Sequence, residues 1–86
     1  MVHFCEAVIQ EIQIASDQDD VEDIIRVSYI HFTESKSQDI GKYIINMIVM
    51  LRISAIASKN DRERNNVLKA IQIFRRHQQD GINSLF

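Results

Sequence analysis

Eighty-six residues, 45% of them hydrophobic and 26% charged with a formal net charge of −2, describe one folded domain of ordinary soluble composition and exclude a disordered chain. A single cysteine, Cys5, excludes an internal disulfide, and no Cys/His set has the spacing of a zinc site. A domain this small buries only roughly 60–65% of the surface its unfolded chain exposes, so packing must be good or a partner chain must help.

With no proline and two glycines, the chain has few places to break, and helices should dominate. The N-terminal stretch acquires Glu6 and Glu11 and lacks a basic start, unlike a secretory signal, so a reducing, cytoplasmic setting is expected. Cys5, Val8, Ile9, Ile12 and Ala15 recur at steps of three and four and predict a first amphipathic helix. Val21, Ile24, Ile25, Ser28 and Phe32 predict a second, beginning near Asp20, with Asp19 as N-cap and Glu22 three residues on. Residues 34–39 form a polar break in which Ser37 is the expected cap and Asp39 lies in the first turn of a third helix. That helix is expected to run to about Ser58. Asn60 then caps a fourth, with Glu63 at the reciprocal position and Val67, Leu68, Ala70, Ile71 and Phe74 on its buried face. Gly81 should end it, with Ile82 making the closing contact, so that residues 1–81 form one helical domain and 82–86 a short apolar tail.

Four helices joined by short loops predict an all-α fold, a small antiparallel four-helix bundle built from two helical hairpins, with helix three central. Ile14-Ala15-Ser16 recurs as Ile56-Ala57-Ser58, but two such units are too few for a solenoid.

Helix three carries the main anomaly. From Tyr43 to Ala57, twelve of fifteen residues are apolar. The run is no membrane span, because Asn46, Arg52 and Ser54 interrupt it and a central arginine is costly in lipid. At about 100° per residue, Ile40, Tyr43, Ile44, Met47, Ile48, Met50, Leu51 and Ala55 share one side, while Ile45, Val49, Ile53 and Ile56 lie opposite with Lys42 and Arg52. Ile30 and Ile73 also point away from the main stripes of their helices. A helix apolar nearly all round is buried all round, so this surplus points to self-association, a two-fold homodimer being the commonest form, against the alternative of an irregular bundle with ordinary exposed isoleucines.

Charge divides the chain. Residues 1–40 hold nine acids against Arg26 and Lys36, whereas residues 41–86 hold eight bases against Asp61, Glu63 and Asp80. On helix four Arg62, Asn65, Lys69, Gln72 and Arg76, followed by Gln79, form an acid-free stripe that suits an ordinary solvated face, an acidic protein surface (helix two of another copy included) or nucleic acid. The acidic pI of about 5.8 weighs against the latter.

Catalytic, metal and phosphate-loop signatures are absent. His3, His31 and His77 fall in different elements, Cys5 sits on a buried face, and the pair Gly41-Lys42 lacks the rest of a phosphate loop. A copper site at Met1-Val2-His3 would be an accident of the terminus. Tyr29 and His31 stand beside the stripe of helix two and suit a core hydrogen bond better than a ligand pocket. The expected protein is therefore no enzyme and carries no cofactor or metal. It is a small interaction module (regulator, inhibitor or adaptor) acting on itself or another protein, with a nucleic-acid-binding regulator as the alternative.

Overall fold

The computed structural model describes residues 2–34 and 39–80. Four helices account for nearly all of them, α1 (Val2–Ile14), α2 (Gln18–Glu34), α3 (Ile40–Ile56) and α4 (Asp61–Asp80), and no strand occurs among the described residues. The all-α class read from the sequence is the one found.

The helix ends correct the expectations by a residue or two. Asp17, not Asp19, caps α2: its Oδ1 accepts the Asp20 N–H at 3.0 Å, and the helix starts two residues early. Asp39, expected inside the first turn of α3, is its N-cap and accepts the Lys42 N–H at 3.0 Å. Ser37, Gly81 and the tail 82–86 lie outside the described residues. Helix α3 stops at Ile56, since Ala57 and Ser58 donate only the closing bonds to Ile53 and Ala55. Asn60 caps α4 as expected, its Oδ1 accepting the Glu63 N–H at 2.8 Å, while Glu63 returns to accept the N–H of Lys59, one residue before the cap.

Side-chain contacts fix the directions. Phe4 at the start of α1 lies 6.0 Å, between ring centres, from Phe32 at the end of α2 and 5.6 Å from Tyr43 at the start of α3. Tyr43 in turn lies 5.9 Å from Phe74, late in α4. At the other end Asn66, early in α4, donates through Nδ2 to the Ala15 carbonyl just past α1, at 2.9 Å. Successive helices therefore run opposite ways, and α2 lies parallel to α4. The most extensive contact is between α3 and α4.

The core draws on all four helices, with Cys5, Ile12, Val21, Ile25, Tyr43, Met47, Leu51, Val67 and Phe74 essentially inaccessible. Burial pushes the Cys5 thiol up, which keeps it protonated and unreactive. Polar atoms inside are paired in short chains. Tyr43 Oη donates to Ser28 Oγ at 2.8 Å, and Ser28 Oγ donates to the Ile25 carbonyl at 2.7 Å.

The second such pair links Tyr29 and His77, whose Oη and Nδ1 are 3.0 Å apart. The phenol donates when the neutral imidazole carries its proton on Nε2. Burial first, then Arg76, hold the His77 imidazole below its ordinary value against an opposing pull from Asp80. The unfolded chain therefore binds that proton first, so the His77 contribution is flat above about pH 7 and destabilises as pH falls through the unfolded value of about 6.5. A lower urea midpoint at about pH 5.5 than at about pH 7.5 is expected, with a smaller difference in His77→Gln. An unchanged difference in that variant would remove His77 as the cause.

Candidate interaction surface

Helix α3 is the most apolar of the four after its buried side is subtracted. Tyr43, Ile44, Met47, Ile48 and Leu51 face the core, and Ile40, Met50 and Ala55 pack at its edge. The opposite stripe is left in solvent: Ile45 is 51% exposed, Val49 53%, Ile53 64% and Ile56 90%. At about 100° per residue these four fall within an arc of about 80°, so they form one continuous strip. Single exposed apolar side chains are normal, but four in a row on one helix are the kind of patch that marks a contact surface. Lys42 and Arg52 are exposed on the same side, and α3 contains no acid.

The outlying residues divide. Ile30 on α2 is 43% exposed and keeps its outward place. Ile73 does not: it is half-buried, packs against the core and lines a cleft with Tyr29, Arg76 and His77. Its helix has α2 on that side, a neighbour the spacing alone could not reveal. Leu68, expected in the core, is exposed, because it lies on the rim of the buried arc of α4.

The basic and amide stripe of α4 runs along the seam with α2 of the same chain. Lys69 Nζ lies 3.8 Å from Glu22 Oε1, and Arg62 and Asn65 line one cleft with Asp17 and Asp19. Arg76 lines the next cleft beside Glu22 and Arg26, while Gln72 is exposed. Part of the stripe thus faces acids of its own chain across α2 and α4, with Lys69–Glu22 the one cross-helix ion pair among the described residues. Each exposed pair is worth little, about 0–1 kcal/mol, but the local field is no longer that of a bare basic helix.

Neither histidine near Tyr29 builds a pocket of ligand size. Tyr29 is buried and bonded to His77, whereas His31 is exposed on the far side of α2, towards α1. The cleft over the Tyr29–His77 pair holds ≈ 170 Å³, below the roughly 300 Å³ at which drug-sized ligand pockets begin. Among the described residues no group of three His, Cys, Asp or Glu side chains is placed to hold a metal ion, and no helix is long and apolar enough to cross a membrane.

No protein-family model, curated protein or solved structure matches this chain. The functional reading therefore rests on the geometry.

Proposed function

We propose that the chain is a small, non-catalytic protein–protein interaction module, a regulator, inhibitor or adaptor, that works by self-association, with the homodimer as its first step. The observation that carries the reading is the α3 strip of Ile45, Val49, Ile53 and Ile56, 51–90% exposed on the side of the helix away from the core. Full burial of such a side chain is worth about 1.5–3 kcal/mol, and roughly half of that remains to be gained at these sites. Covering the strip would make α3 the central helix of a bundle that continues into the next copy. Ile30 can add contact area, and Ile73 only an edge. A cytoplasmic location goes with this reading, since Cys5 is a buried thiol.

The nucleic-acid alternative has less support, because Arg62 and Lys69 stand beside the acids of α2. Sedimentation at micromolar concentration is expected to give at least twice the 10.0 kDa chain mass. Ile45→Gln with Ile53→Gln should return the chain to one copy while changing stability by no more than about 0.5 kcal/mol per site. A wild-type chain that stays single, or a double variant that unfolds, would refute the proposal.

A further inference from the structure

We infer that the surface receiving the α3 strip is the groove between α1 and α2 of a second copy, so that copies join strip into groove and not strip against strip. The inference rests on the self-association proposed above and names the other half of that contact. Charge favours the groove over a second strip. With Lys42 and Arg52 as its only charges, α3 paired with itself would gather four cations, offset by Glu6 of α1 beside Ile53 in each copy and by no carboxylate of either α3.

The outer seam of α1 and α2 has the opposite character. Two adjoining depressions run along it and share Glu11 and Ile24. Their apolar lining includes Phe4, Val27 and Ile14, the last two exposed, and the acids Glu11, Asp20 and Asp23 stand among it. Asp23 also holds Arg26 at 3.0 Å, which leaves Glu11 and Asp20 as the acids for Arg52 and Lys42 of the incoming helix. The lengths agree as well. Phe4 to Ile14 spans ten residue steps of α1 and Ile45 to Ile56 eleven of α3, about 15 and 16 Å of helix at 1.5 Å per step. An apolar helical strip with anchors at steps of three and four, laid in a groove of opposite charge, is a common recognition mode.

Such a contact is heterologous. Each copy that uses its strip still has a groove to offer, so the assembly either closes into a ring or grows past two copies. Attraction across it weakens as salt rises, whereas two like-charged strips would gain from screening.

The test uses the wild-type chain, Ile53→Gln, and the double variant Ile14→Gln/Val27→Gln, all followed by analytical ultracentrifugation at low and high salt. Each variant alone should self-associate at least about tenfold more weakly than wild type. Mixed in equal amounts they should form a complex of twice 10.0 kDa that does not grow with concentration, since one intact strip meets one intact groove. Wild-type association should weaken with salt. A groove variant that associates like wild type, or a mixture that stays unassociated, overturns this inference while leaving the α3 strip as a contact. A wild-type chain that never associates overturns the proposed function itself, and this inference with it.

Discussion

Replacing Tyr43 by alanine is expected to cost the fold about 3–5 kcal/mol, a large share of its stability. Tyr43 is fully buried where the start of α3 meets the other three helices. Its ring stacks on Phe32 with 4.8 Å between centres and meets Phe4, Tyr29 and Phe74 at 5.6–5.9 Å. Truncating a buried aromatic side chain costs about 3–5 kcal/mol through lost transfer energy and the cavity left behind. A domain of this size has a stability of only about 4–13 kcal/mol, so the loss approaches the whole at the lower end. The far-UV helical signal should fall, or the thermal midpoint should drop by at least about 15 °C. Tyr43→Phe separates packing from the hydroxyl. It removes the bond to Ser28, whose Oγ still donates to the Ile25 carbonyl, and should cost only about 1 kcal/mol. An alanine variant within about 1 kcal/mol of wild type would mean that the aromatic cluster does not organise the fold.

The same residue shows what spacing can and cannot reveal. Tyr43 falls on the buried side of helix three by its angle alone, as do Ile44, Met47, Ile48 and Leu51, and all five are buried. The exposed strip of Ile45, Val49, Ile53 and Ile56 is legible in the same way. Ends were harder. Asp17 and Asp19 each have an acid three residues on, and the choice between them depends on where α1 stops. The acid partner of the α4 stripe was not legible, because it requires α2 and α4 to lie side by side and parallel, a consequence of tertiary order. Asn66 could have been noticed: with Ala70 and Phe74 it forms a row at steps of four, a polar side chain in a buried line. Its partner, the Ala15 carbonyl 51 residues away, could not.

That bond makes the second large prediction. Asn66→Asp keeps the shape of the side chain but removes the Nδ2 donor and sets a carboxylate against the Ala15 carbonyl, at a site 1% exposed. Burying an unpaired charge is costly enough that the group takes a proton instead. Once protonated it can donate to Ala15 as the amide did. Its folded pKa should therefore stand above the unfolded value of about 3.9, and the cost at pH 7 is bounded by about 4 kcal/mol, roughly three pH units at 1.36 kcal/mol each. The sign follows from linkage: the penalty is full above the raised folded pKa and vanishes as pH falls to the unfolded one. The variant should thus be much less stable than wild type at about pH 7 and approach it near about pH 4. Asn66→Leu provides the contrast, since it leaves the Ala15 carbonyl unpaired at every pH for about 1–3 kcal/mol. Urea melts of the three proteins across that range decide the matter. A stability gap for Asn66→Asp that does not narrow on acidification would show that residue 66 is not held against the end of α1 in a dry interior, and the link between α1 and α4 would have to be sought elsewhere.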